Sequence, residues 1–243
     1  MDEIVLRGKR ALVTGAAVRV GRAIAVELAR AGMNLAVHTR STPADVALEE
    51  IRALGVSAVL VRGDQSVDAA RIVAEAATAL GGLDLLVCNA AAFAQVPAEE
   101  LDRAAFDAMI AANLTGPFFL MQAALRHLRA SRGSVVNLVD LCGTTQVWKG
   151  YAHYAASKAG LATLTRLLAL EWAPLVRVNA VAPGVVLYPE SATFEERERT
   201  SRRIPAGQPG APEDVARAVR FLASQPFVTG QILTVDGGRS VNP

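Results

Sequence analysis

A chain of 243 residues, 52% hydrophobic and 20% charged, has the material for one substantial core and excludes an extensively disordered protein. A formal net charge of +2 is too small to argue for nucleic acid or a membrane surface as partner, but it allows a small anionic ligand held by a few local arginines. The opening Met1-Asp2-Glu3-Ile4 has the form of neither a secretory signal nor a transit peptide.

No window is expected to reach the roughly 18 apolar residues that span a bilayer. Cys88 and Cys142 lack metal-ligand spacing and read as buried free thiols in a reducing, cytoplasmic setting. His38, His127 and His153 form no pair with ligand spacing, so no metal is expected.

The first of seven short β-branched or apolar runs is Arg10–Val13. Thr14-Gly15-Ala16-Ala17-Val18-Arg19-Val20-Gly21 follows it and opens a helical pattern at Val20–Ala31. Gly15 permits a tight turn and Gly21 lets the helix lie close to the sheet. The free N–H groups at the helix start then suit a pyrophosphate. The second run, Leu35–His38, leads into Thr39-Arg40-Ser41 without the acid that binds the adenosine 2′-hydroxyl of NAD. Arg40 and Ser41, with Arg19 as a second cation, can instead hold a 2′-phosphate through charge-assisted forked bonds, so the expected cofactor is NADPH.

Helical Ala44–Leu54, run Ala58–Arg62, helical Asp68–Leu80, run Leu83–Cys88 and one long helix Arg103–Arg129 come next. Gly32 and Gly55 stop the first two helices. Run Ser134–Val139 precedes a helix over Tyr154–Ala173, whose Tyr154 and Lys158 project from one face a turn apart. A phenol, with an ordinary pKa of about 10, is a poor acid at neutral pH, and a neighbouring ammonium is expected to bring it down.

Run Arg177–Ala182, the irregular stretch 185–210, helix Glu213–Ala223 opened by Pro212, and run Ile232–Val235 complete the chain. Residues 185–210, with Glu195-Glu196-Arg197-Glu198-Arg199, suit either a substrate lid beyond a strand end or a solvated surface helix. Strand then helix, six times over and closed by a seventh strand, predicts a single-domain α/β fold. It is a Rossmann-type doubly wound, seven-stranded parallel sheet with helices on both faces.

These residues together resemble the short-chain dehydrogenase/reductases over essentially the whole chain. The marks are the glycine turn, Asp64, Asn89-Ala90, Asn113-Leu114-Thr115-Gly116, Tyr154-x-x-x-Lys158, Pro183-Gly184 and Asp236-Gly237-Gly238. The resemblance implies that Tyr154 and Lys158 are catalytic and that Asn113 supports a proton-relay water. It also implies that Asp64 and Gln65 flank the adenine, that Asn89, Ala90, Ala91 and Val139 line the cofactor with Val20 and Thr39, and that Pro183, Gly184 and Val185 pack by the nicotinamide.

The serine such proteins carry near the end of strand five is Asp140 here. An ionised aspartate cannot donate to a carbonyl and would repel an oxyanion, but it suits a protonatable ring nitrogen. With desolvation it could act as the acid.

Asp140, Arg19 in the turn and the basic Arg40-Ser41 resemble the pteridine reductase and dihydromonapterin reductase subgroup. That resemblance implies Phe93 stacking on a flat pterin, with Tyr151 as a second aromatic. Ala91 replaces a serine usual in the subgroup.

The leading expectation is an NADPH-dependent reductase of the C=N bond of a pterin-like heterocycle, with Tyr154, Lys158, Asp140 and Asn113 as catalytic residues and Phe93, Asp140, Tyr151 and Tyr154 facing the substrate. The alternative is a carbonyl reductase acting on a 3-oxoacyl thioester or another ketone. A non-catalytic NADPH-binding sensor is the remaining alternative. The family resemblance implies a homotetramer built through the two long helices.

Overall fold

The computed structural model of the protein describes residues 6–188 and 192–242. Each apolar run is a strand: β1 (Arg10–Thr14), β2 (Asn34–Thr39), β3 (Ala58–Arg62), β4 (Leu85–Cys88), β5 (Ser134–Leu138), β6 (Arg177–Pro183) and β7 (Ile232–Val235). All pair in parallel, in the order β3-β2-β1-β4-β5-β6-β7. The order reverses between β1 and β4, which opens the crevice where doubly wound sheets take ligands. β4 begins two residues later than its apolar run, because Asp84 is engaged through its carboxylate by the Arg10 backbone N–H (2.9 Å) and Nε (2.6 Å).

Successive strand residues point to opposite faces, which divides the core into two layers. Ala11, Val13, Leu85, Val87, Val136 and Leu138 pack with α1 (Arg19–Arg30), α2 (Asp45–Ala53) and, at the far end of the chain, α8 (Pro212–Ser224). Leu12, Leu86, Cys88 and Val135 face the other way, against α3 (Ala69–Leu80), α5 (Gly116–Ser131) and α6 (Ala152–Trp172). Both cysteines are buried and free. Below the sheet Arg177 donates to the carbonyls of Leu222 (2.8 Å) and Ala223 (2.7 Å) and so closes the C-terminal end of α8.

The single helix expected over Arg103–Arg129 is broken. It comprises α4 (Arg103–Ile110), a π-helical turn at Ala111–Thr115, and α5. The π turn takes up one extra residue and aims Asn113 inward, where its side chain exchanges two hydrogen bonds with the Ala92 backbone. The expectation about apolar windows also needs correction. Arg103–Ser131 is long and apolar enough by length and composition to cross a membrane, with a mean hydropathy of 1.4. Part of that apolarity lies inside the domain, where Leu120, Met121, Ala124 and Leu128 are fully buried, while Phe106 and Phe119 are exposed.

Within 185–210, residues 189–191 lie outside the described residues. The charged part forms α7 (Phe194–Ser201), with Thr193 and Glu196 in a reciprocal capping box and no buried residue.

Candidate active site

The ends of β1, β2, β4, β5 and β6 meet at one side of the sheet, and the predicted site residues follow them. After β1, Gly15 adopts φ +64°, and a Cβ on Gly21 would come 2.1 Å from the Gly15 carbonyl oxygen, so both positions require glycine. Arg19, where the family has a glycine, also adopts a positive φ of 53° and is exposed. Asn89 fastens this turn to β4: its Nδ2 donates to Thr14 O (2.8 Å), while the Asn89 and Ala90 N–H groups donate to Thr14 Oγ1. No side chain caps the start of α1, and its first turn carries no acid. The helix N-terminus therefore keeps free donors and its positive dipole end for an anion.

At the end of β2, Thr39 is buried and donates to Thr42 O (3.1 Å), while Arg40 and Ser41 are exposed. Arg40 reaches Asp64 at 3.4 Å, a weak exposed pair that leaves most of the guanidinium in solvent. Asp64 is held below the usual carboxylate range by its hydrogen bonds from the Ser66 hydroxyl and backbone. Gln65 turns inward and ties Ala90 O (3.0 Å) to Ala112 O (2.8 Å), so its side chain braces the loop after β4 against the π turn. An uncapped helix start with exposed arginines nearby fits the phosphates of a dinucleotide. Among the described residues no three His, Cys, Asp or Glu side chains converge as metal ligands.

Tyr154 and Lys158 stand on one face of α6, both buried. The Tyr154 hydroxyl donates to Asp140 Oδ2 at 2.8 Å, and Asp140 Oδ1 accepts the Cys142 N–H at 2.8 Å. Lys158 Nζ donates to the Leu138 carbonyl (2.8 Å) and lies 5.8 Å from the Tyr154 ring centroid. Gly143, at φ +93°, lets the loop after Asp140 cross α6, since a Cβ there would meet Ala155 O at 2.3 Å.

Asn113 joins from the π turn: its Nδ2 reaches Ser157 Oγ (3.2 Å), which donates to Tyr154 O (2.7 Å). Four residues separated by up to 45 positions are thus brought together.

The electrostatics depart from expectation in two ways. The ammonium was expected to bring the phenol down. Instead burial first, and then the Asp140 carboxylate, push Tyr154 upward. Lys158 is itself pulled down to about 8 by burial. Asp140, open from the sequence to being either an ionised group or a desolvated acid, is pushed up by burial, against the hydrogen bonds from Cys142 and Tyr154 and the charges of Lys158 and Arg239.

Phe93 is 55% exposed and forms a wall with its neighbours. It stacks on Tyr151 (5.0 Å between centroids) and meets Tyr154 edge-on (4.8 Å). Tyr151 meets Trp148 (5.8 Å), and Arg239 sits over Trp148 (5.8 Å). Arg239 was not picked out from the sequence, and Trp148 reads there only as packing or pocket wall. Their place at the end of an aromatic series starting at Tyr154 is a property of the fold, and only the nearness of position 148 to Tyr151 hinted at it. Pro183, Gly184 and Val185 continue from β6, and a Cβ on Gly184 would meet Asp236 at 2.7 Å, which seats the C-terminal Asp236-Gly237-Gly238 turn against the site.

A family model described as enoyl-(acyl carrier protein) reductase matches residues 15–240. The chain is similar to the 3beta-hydroxysteroid dehydrogenase 1 of Eggerthella lenta, with 39% identity over 98% of this chain and 96% of that protein. It is also similar to the cis-4-hydroxycyclohexanecarboxylate dehydrogenase of Sinomonas cyclohexanicum, with 40% identity over 94% and 95%. Among solved structures, a dehydrogenase/reductase from Sinorhizobium meliloti 1021 superposes with a TM-score of 0.91 at 36% identity, covering 98% of this chain and 97% of that one. The two curated relatives are named as dehydrogenases of hydroxy compounds. They correct the narrower resemblance to pteridine reductases back to the wider family.

Proposed function

Because the chain belongs to the short-chain dehydrogenase/reductase family, an NAD(P)-dependent oxidoreductase family, we propose that it interconverts a secondary alcohol and a ketone with NADP(H). The observation that carries this reading is the buried Tyr154–Asp140 hydrogen bond at 2.8 Å beside Lys158 and Asn113, open to solvent along Phe93. The cofactor would lie with its pyrophosphate at the start of α1, its 2′-phosphate between Arg19, Arg40 and Ser41, and its nicotinamide near Val139 and Pro183 to Val185. When bound, it supplies or accepts the hydride.

The chain's own residues manage the proton. Tyr154, kept protonated by burial and by Asp140, donates to the carbonyl oxygen as that oxygen gains charge. Asp140, when protonated, offers the same oxygen a second donor, the part a serine plays elsewhere in the family. When ionised it accepts the Tyr154 hydrogen bond and holds the phenol protonated. Lys158 sits behind the phenol and orients it from the Leu138 carbonyl, while Asn113 fixes Ser157 and the Ala92 turn around it.

A second reading has a specific observation behind it. An exposed aromatic, Phe93, packs edge-on against Tyr154, whose hydroxyl is bonded to a carboxyl rather than a serine, which suits a flat protonatable heterocycle such as a dihydropterin. Oxidation of NADPH and of NADH, followed with cyclic ketones, a 3-oxoacyl thioester and dihydrobiopterin, separates the readings. Turnover of ketones with NADPH, lost by at least 10³-fold in Tyr154→Phe, is the expected result. Turnover of dihydropterin alone overturns it in favour of the second reading, and NADPH binding with no turnover of any probe favours a sensor. Removing the charge in Arg40→Ala should raise the KM for NADPH about tenfold and leave that for NADH nearly unchanged. An equal effect on both would remove the 2′-phosphate from this position.

A further inference from the structure

Arg239 stands in the short 3₁₀ turn Arg239–Val241 at the end of the chain, placed by a well-fixed backbone. Asp236 accepts the Gly238 and Ser240 N–H groups (2.9 and 2.6 Å), the Arg239 N–H donates to Asp236 O, and Gln146 Nε2 donates to Arg239 O (3.0 Å). The structural duties of this residue are therefore met by its main chain. Its guanidinium is half-buried over Trp148, and among the described residues it makes no hydrogen bond and no ion pair. Arg203, from the loop after α7, is close enough to act on it as a like charge and also lacks an ion pair among the described residues. A planar fork of five donors, pre-positioned and unused, is a recognition element for a carboxylate.

Its position says what else the ligand carries. The rings of Tyr154, Phe93, Tyr151 and Trp148 touch in series from the catalytic hydroxyl to Arg239. Asp140 and Arg239 also act on each other electrostatically. With the Asp140 charge already in the same field, a singly charged anion fits better than a dianionic phosphate.

We infer that the site takes a hydroxy or oxo acid. Its apolar body would lie along the Phe93–Tyr151–Trp148 wall, and its carboxylate would be bound by Arg239 with Arg203 in support. The inference rests on the alcohol–ketone reading only for the group that reacts at Tyr154, and makes Arg239 a specificity residue.

Trp148 provides a readout independent of turnover. In a Trp172→Phe background, with and without NADPH, titration with cyclohexanecarboxylate should change the Trp148 fluorescence saturably, and cyclohexanecarboxamide should not. Arg239→Gln should weaken the carboxylate by about ten- to a hundredfold, and Arg239→Lys should restore part of it. Equal binding of acid and amide, or an unaltered affinity in Arg239→Gln, overturns the anion site.

In turnover, the kcat/KM ratio of 4-oxocyclohexanecarboxylate to its amide should fall at least tenfold in Arg239→Gln. A ratio that stays put also overturns the inference. If neither ketone is reduced, the alcohol–ketone reading fails by itself, and the fluorescence titration still decides the anion site.

Discussion

At the scale of single residues, the Asp140–Tyr154 pair governs what the site can do, because one proton lies between two buried oxygens. The upward displacement of Asp140 gives the sign of its pH dependence. As pH falls through that raised value the carboxyl becomes a donor, so kcat/KM for ketone reduction should rise towards mild acid. Asp140→Ser, a donor at every pH, should flatten that limb of the profile, and an unchanged limb would place the titration elsewhere.

Lys158 offers a second test. Its folded value of about 8 lies below the ordinary 10.5, so the unfolded chain holds more protons between those limits. Stability of the cofactor-free protein should therefore rise with pH from about 8 to about 10.5, the burial penalty being fully present below that window. Lys158→Met removes the penalty but gives up the bond to Leu138 O, for a net gain of about 2 kcal/mol by denaturant titration together with loss of catalysis. Sequence reasoning could find both residues, since their types and spacing are distinctive. It could not give the direction of the Tyr154 displacement, which is set first by burial and then by the Asp140 carboxylate at bonding distance.

At the scale of elements, the strands and most helices were legible because apolar runs and Gly or Pro stops mark them in a parallel sheet covered on both faces. The π turn was not. Inserting one residue into a helix alters the phase of an apolar pattern too little to notice across Arg103–Arg129, yet it decides where Asn113 points. Deleting Ala112 should let α4 run into α5 as one continuous helix with its flanks still in phase, removing the turn that aims Asn113 inward. Its expected signature is retained helical circular dichroism with reductase activity reduced by 10² or more. Wild-type activity in the deletion variant would show that Asn113 is dispensable. The tail bearing Arg239 was equally hidden: a lone arginine after two glycines carries no periodic signal, and only the close seat of Gly184 on Asp236 brings it to the site.

At the scale of the whole molecule, the order of the sheet places every candidate functional group beyond the C-terminal ends of the strands, and that much followed from the alternation of strand and helix. The opposite side is braced by charges whose partners are far apart in sequence. Asp84, 8% exposed, joins β4 to Arg10 and Lys9. Burial alone would raise its carboxyl, but the Arg10 side-chain and backbone hydrogen bonds and the two positive charges outweigh it and hold it below the usual range. That stabilisation is present above the unfolded value and is lost as pH falls through the lowered one. Asp84→Asn should cost about 2 kcal/mol near neutrality, and the difference from wild type should shrink in acid. A constant difference down to strong acid would mean the charge is not what matters.

The separation of these two ends has a practical consequence for anyone adapting the protein as a biocatalyst. Substitutions that harden it against heat or solvent belong around Asp84, Arg10 and Arg177, where no reacting group is disturbed. Changes in substrate scope belong along the aromatic wall and the C-terminal turn. The two kinds of change should combine with little interference, so libraries for each can be searched separately and their winners merged.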